Sequence, residues 1–186
     1  MKIGTKSILF GYHCFFIHPF FVAYAWWLLY GFPWDPRLWV AFFVHDLGYW
    51  GKPNMDGSEG EEHPYLGAKI MSRLFDNGSR KWYHFTLYHS RFLAKKENAH
   101  FSKLCVADKL AIVLTPSWIY LPMINWTGEI KEYMADAERN SNGMIAIQQS
   151  QQIWLAQVKD YVRKWVEEHK DLKHDSWTQI RKEVQS

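Results

Sequence analysis

The chain has 186 residues, 48% hydrophobic and 22% charged, with a formal net charge of +3. That length suits one domain with a substantial core, and the apolar content excludes disorder for the chain as a whole. The charge is mild and there is no long Lys/Arg run, so no stable nucleic-acid complex is expected. Cys14 and Cys105 form no motif, so a disulfide framework is not indicated and a reducing, cytoplasmic setting is expected.

From Ser7 to Trp34 the chain reads "SILFGYHCFFIHPFFVAYAWWLLYGFPW", without Asp, Glu, Lys or Arg. A bilayer span needs only roughly 20 apolar residues. No small-residue cleavage site follows, so a signal peptide fits poorly. His13, His18, Pro19 and Gly31 interrupt the run, which favours two packed core helices over membrane contact. A helix is expected from His18-Pro19 to the stop signal Gly31. Asp35-Pro36 reads as an N-cap followed by Pro at the first helical position, opening a helix that runs to about Leu47. "GKPNMDGSEGEE", residues 51–62, is a polar loop.

His63-Pro64 starts the next helix, which reaches about Phe75. "DNGS" is a turn, and Ser79 is placed to cap a helix from about Arg80 to Ser90. A basic loop, "RFLAKKENAH", follows, then a helix from about Ser102 to Leu114 that stops before Thr115-Pro116. "PSWIYLPMINWTGE" reads as an aromatic connector. A last long helix, from about Gly143 to His169, has Trp154, Val158, Tyr161, Val162 and Trp165 on one face, a spacing suited to packing on the body of the protein. The final twenty residues are of mixed charge and read as a short exposed helix. No run alternates as strands do, so the expected class is all-α: one domain over residues 1–186, with core motifs in 18–112 and a C-terminal helical extension over 117–186.

The chemistry concentrates in His18, His45, Asp46, His63, His89 and Asp108. Each lies on a helix or helix start, and the neighbours are mostly apolar: "FFIHPFF", "FFVHDLG", "TLYHSRF", "LCVADKLA". A carboxylate buried among such neighbours is costly unless paired or bound to a cation. Four histidines and two carboxylates supply enough N and O donors for one or two divalent transition metals, with manganese, iron, cobalt and zinc all admissible. His13 competes with His18, and His84 with His89. Each pair is five residues apart, about 140° around a helix, so both members cannot face one centre. His100 is a weaker candidate, and His169 and His174 fall in a charged tail and are expected to be solvated.

The ordered set resembles the HD superfamily of metal-dependent phosphohydrolases. "HPFFVA" is similar to that family's first histidine helix and "FFVHDLG" to its name-giving pair. "HPYLGAKIM" resembles the His-x-x-x-Gly-Ala helix of the dimetal branch. "LYHSR" and "LCVADKLA" resemble its later His and final Asp motifs. The intervals His63 to His89, 26 residues, and His89 to Asp108, 19 residues, are similar to those of symmetrically cleaving diadenosine tetraphosphate hydrolases. The resemblance covers about residues 18–112 and implies an HD-type helical bundle. It selects His18 over His13, and it selects His89, beside Arg91, over His84.

The implied site has one metal on His18, His45, Asp46 and Asp108. A second takes His63, His89 and the other oxygen of Asp46, with His45 and Asp46 as the catalytic pair. A water between the metals would be acidified and attack phosphorus. The implied partner is a small phosphorylated substrate such as a nucleotide, held by Lys52, Arg91 and Lys109, with Lys95 and Lys96 as further candidates and Tyr49 or Trp50 stacking on a base. A homo-oligomer is compatible with this reading. The chain departs from the pattern after the pair: where many relatives place an early lysine, "HDLGYWGK" has Tyr49 and Trp50, and Lys52 comes late. That departure leaves room for a related reading, a di-iron HD oxygenase, and for a non-catalytic nucleotide-binding module.

Overall fold

The computed structural model describes residues 1–140 and 150–171, with the backbone alone given over 136–140. Among these residues the fold is entirely helical. The helices are α1 (Ile3–Phe10), α2 (His18–Tyr30), α3 (Pro36–Val44), α4 (Pro64–Phe75), α5 (Lys81–Leu87), α6 (Arg91–Lys96), α7 (Lys103–Leu114), α8 (Ser117–Thr127), α9 (Glu129–Asn140) and α10 (Gln151–His169). Short polar side chains start several of them. Asp35 accepts the Arg37 N–H ahead of α3, Ser90 the Leu93 N–H in α6, Ser102 the Cys105 N–H in α7 and Ser150 the Ile153 N–H in α10.

α7 is the central helix. Leu104, Cys105, Val106, Ala107, Asp108 and Ala111 are all buried on it, so it is enclosed on nearly every side. α2 and α10 are its largest neighbours. One core joins Val22, Ala25 and Trp26 of α2 to Phe42 of α3, Met71 of α4, Trp82 of α5 and Leu104 of α7. A second joins Tyr12 to Tyr120 and Ile124 of α8, Ile130 of α9 and Trp154 of α10. Each fully buried large side chain contributes about 1.5–3 kcal/mol, so burial around α7 dominates the placement of Asp108.

Two glycines bring the segments around His45 together. A Cβ on Gly67 would lie 2.4 Å from the Val44 carbonyl oxygen and 3.0 Å from the His45 Cα. A Cβ on Gly48 would lie 1.9 Å from the His63 carbonyl oxygen. Only hydrogen at these positions lets α4 and the turn before it lie directly against the end of α3.

Several expectations need correction. "RFLAKKENAH" is not all loop, since Arg91–Lys96 form α6. The aromatic connector is helix α8, which continues through Pro122 because burial of Tyr120, Ile124 and Thr127 outweighs the lost backbone donor. The helix after "DNGS" spans Lys81–Leu87 and is preceded by Arg80, a residue with φ of 51°. Its exposed N–H groups are met chiefly by Asp76, which accepts from Trp82 and Tyr83 at 2.8 and 3.0 Å, while Ser79 accepts from Lys81 at only 3.4 Å. His169 is not solvated: its side chain is buried, stacked 4.6 Å from Trp165, and its Nδ1 donates to the Trp165 carbonyl at 2.7 Å.

The start of the last helix near Gly143, the tail helix and His174 lie outside the described residues. The 7–34 run is divided between α1 and α2, and no single helix among the described residues is long and apolar enough to cross a membrane.

Candidate metal centre

His18 opens α2, His45 closes α3, and Asp46 begins the turn that follows. His63 precedes α4, His89 follows α5, and Asp108 sits mid-way along α7. Five segments therefore converge, and all six side chains are buried. They form two groups able to hold a metal ion: His18, His45, Asp46 and Asp108, and Asp46, His63 and His89. Within each group the donor atoms lie within 4.8 Å of one another. Asp46 belongs to both. Its Oδ2 lies 3.0 Å from His45 Nε2 and 3.3 Å from His18 Nε2. Its Oδ1 lies 3.5 Å from His63 Nε2 and 3.4 Å from His89 Nε2.

The tautomers follow from the backbone. His45 Nδ1 is 2.9 Å from the Phe42 carbonyl, His63 Nδ1 is 2.8 Å from that of Gly60, and His89 Nδ1 is 2.6 Å from that of Thr86. A carbonyl can only accept, so each Nδ1 carries a proton and each ring, when neutral, points a bare Nε2 lone pair inward. His63 and His89 then face each other lone pair to lone pair at 3.1 Å. His45 faces the Asp46 carboxylate in the same way, and neither His45 Nε2 nor Asp46 Oδ2 has a well-formed hydrogen bond. Buried acceptors aimed at one another repel unless a proton or cation lies among them. Nδ1 donation to a carbonyl is also the usual way a metal-binding imidazole is oriented. The residues present fit a divalent cation of the transition series.

Electrostatics agree. Burial pulls the His45 imidazolium down, but Asp46 and Asp108 override it and push the group up to about 10, so the two carboxylates draw positive charge to His45 Nε2, as a proton when no metal is bound. Burial raises Asp46 and Asp108, but His45 on one and Lys109 on the other hold both well below the usual carboxylate range. His63 is lowered by burial and by His89, so it stays neutral and able to bind a cation.

The other nominated residues are more dispersed. Lys109 Nζ lies 3.2 Å from Asp108 Oδ2, against the first group. Tyr49 is buried with its ring stacked on His63, 3.8 Å apart at 13°, so one of its faces is already covered. Lys52 pairs with Glu62 at 3.3 Å, in an open cleft of about 360 Å³ also lined by Gly48, Tyr65 and Lys69. The Arg91 guanidinium lies 4.7 Å from the Trp165 ring. Trp50 is exposed. His13 stands outside both groups, accepting from or donating to Ser7 Oγ at 2.9 Å, with its ring 5.6 Å from that of His18. His84 stacks on Tyr88. His100, Lys95 and Lys96 are exposed.

Tyr12, beside the centre, and two acids, Glu129 and Glu61, were not nominated from the sequence. Tyr12 is buried with its ring 4.7 Å from that of His18. Glu129 is fully buried, 3.9 Å from His13 Nδ1, and accepts from Thr127 at 2.6 Å and Tyr133 at 2.8 Å. Glu61 is pushed up to about 7 by burial and by Asp56. Nothing in the local sequence marks Tyr12, an aromatic in an aromatic run, or Glu129, an acid in a charged stretch.

No family model, curated protein or solved structure matches the chain.

Proposed function

We propose that the protein is a metal-dependent phosphohydrolase of the HD type, acting on a nucleotide or a related phosphate ester or anhydride in the cytoplasm. The observation that carries this reading is the set of three buried imidazoles whose Nδ1 protons are committed to main-chain carbonyls, leaving bare Nε2 atoms around the two oxygens of Asp46. His18, His45, Asp46 and Asp108 would hold one divalent ion, and Asp46, His63 and His89 a second. Bound there, the metal supplies neutralisation of phosphoryl oxygens and a hydroxide nucleophile near neutral pH.

The chain's own residues do the rest. Carbonyls of Phe42, Gly60 and Thr86 fix three ring orientations, so the donors are placed before the substrate arrives. Tyr49 covers one face of His63 and keeps water from it. Lys109, beside Asp108, is the cation best placed to meet phosphate oxygens.

A second reading has its own observation. Lys52, the late lysine after the pair, is engaged with Glu62, while Tyr12, His13 and Tyr49 crowd the ligands. An aromatic surround with little free positive charge suits a di-iron oxygenase of the same superfamily better than it suits a polyanion site.

One experiment separates the two. The manganese- or iron-loaded protein is incubated with mono-, di- and triphosphate nucleotides, cyclic nucleotides and dinucleoside polyphosphates, and the products are resolved by chromatography. Cleavage abolished by chelator is the expected result. No cleavage, with two irons bound and oxygen consumed on substrate addition, would put the oxygenase first. No metal bound at all would sink both.

A further inference from the structure

α2 has no charged residue, and its inner face, with Val22, Ala25 and Trp26, packs on α3 and α7. A helix that is apolar on every side is normally enclosed on every side. This one is not. Phe16, just ahead of it, then Phe20, Tyr24, Trp27 and Leu28 on its outer stripe, and Trp34 beyond it are between 47% and 84% exposed. Positions 20, 24, 27 and 28 recur at helical spacing, so they form one continuous ridge. The rings continue past the helix end: Tyr24 meets Trp27 at 6.3 Å, Trp27 meets Phe32 at 6.0 Å, and Phe32 meets Trp34 at 4.5 Å.

The area is the deciding quantity. With roughly 150–250 Å² available per whole aromatic side chain, these partly exposed groups present on the order of 600–900 Å². The largest apolar patch on an ordinary monomer is about 300–600 Å², whereas a stable complex buries about 800 Å² on each partner.

We propose that this face is the contact surface of a two-fold homodimer built on α2. An interface of this kind is rich in aromatics and poor in charge at its centre, as α2 is. A lipid surface fits less well. Stable attachment needs a second, electrostatic signal, but residues 7–34 contain no Lys or Arg. Of the cations at the margin, Arg37 is paired with Asp35 at 2.7 Å and Lys103 lies over the Tyr30 ring at 4.7 Å. A foreign protein is selected largely by charge, and this face offers none. An antiparallel contact centred on Tyr24 places Phe20 of one copy opposite Leu28 of the other, as the self-complementarity of a two-fold axis requires.

Sedimentation equilibrium of the full chain at micromolar concentration tests this. The wild type is expected at twice its 22.2 kDa mass. Trp27→Glu should raise the dimer dissociation constant by about 30-fold or more with unchanged helicity, as loss of a central aromatic does. Trp118→Glu, at a still more exposed tryptophan on α8, should remain dimeric. Phe20→Lys and Leu28→Glu should each be monomeric alone and should form a dimer when mixed, which guards against Trp27→Glu simply folding badly. A monomeric wild type overturns the proposal, whether it then binds vesicles of neutral or anionic phospholipid or not. So does a dimer that survives both Phe20→Lys and Leu28→Glu.

Discussion

Two regions of the molecule bury acids and histidines, and they do so in opposite ways. Around α3, α4 and α7, Asp46 and Asp108 are held ionised, with imidazole Nε2 atoms facing them and one another. Around α9 and α10, Glu129 is pushed up by burial, and its oxygens are met by the hydroxyls of Thr127 and Tyr133. His169 gives its Nδ1 proton to Trp165 and stacks on that ring. Burial of a polar group is therefore no signal by itself. Hydrogen bonds meet the C-terminal groups, whereas in the N-terminal region several His and Asp donor atoms converge on common points, and only the latter arrangement could hold a metal ion.

Substitution at the two kinds of acid breaks that comparison most directly. Asp46→Asn should abolish metal binding in both groups and reduce turnover by at least about 10³-fold, the scale of losing a principal electrostatic stabiliser. Glu129→Gln should keep the full metal content and cost roughly 1–2 kcal/mol of stability, a hydrogen-bond-sized loss. Metal analysis and thermal melts of both variants decide it. Equal metal content would show that the two regions are alike.

The histidines sharpen it next. His18→Ala should lower metal stoichiometry, and His13→Ala should not, because only His18 points a ring nitrogen at both carboxylates. The reverse order of metal loss would make His13 the ligand. Gly67→Ala tests the scaffold instead of a ligand. A methyl group 2.4 Å from the Val44 carbonyl must separate α4 from α3. Weaker metal affinity and a melting point lower by several degrees, for about 1–3 kcal/mol of overpacking, are expected. An unchanged melting point and affinity would show that the contact does not position the centre.

The smallest effect is on pH dependence after metal removal. His13 is lowered to about 4, and His63 is lowered as well, in both cases first by burial. A depressed folded value means that the unfolded chain binds more protons between that value and about 6.5, so stability is full above about 6.5 and falls as pH drops toward 4. His45, pushed up to about 10, acts oppositely, and its contribution is lost as pH rises through that value. Melts of chelated protein should be lower at pH 5 than at pH 7, with a smaller difference in His13→Asn. An equal or larger difference in that variant would remove His13 from the account.

Much of the fold was legible, because helix starts are written locally. Asp35-Pro36, His63-Pro64 and Ser102 mark beginnings that the backbone observes. α8 was not legible, since Pro122 and the flanking Trp118 and Trp126 read as a connector until burial against Tyr12 and α10 is known. The same holds for His169, whose charged neighbours suggested solvent while its i−4 partner, Trp165, supplied a stacking surface. Among the site residues, the six donors stood out because His and Asp are costly in apolar segments. Tyr12 and Glu129 carried no such mark, being an aromatic in an aromatic run and an acid in a charged one.

The sequence by itself determined an all-helical chain and a set of His and Asp residues that apolar surroundings would not tolerate unpaired, because helical period and burial cost are local properties. Only the tertiary structure decided that the two oxygens of Asp46 face different histidines, that Tyr49 covers His63, and that α2 keeps an aromatic face uncovered. Those outcomes depend on which helices pack against which, and Gly48, Gly67 and the enclosed face of α7 set that packing across long separations in the chain.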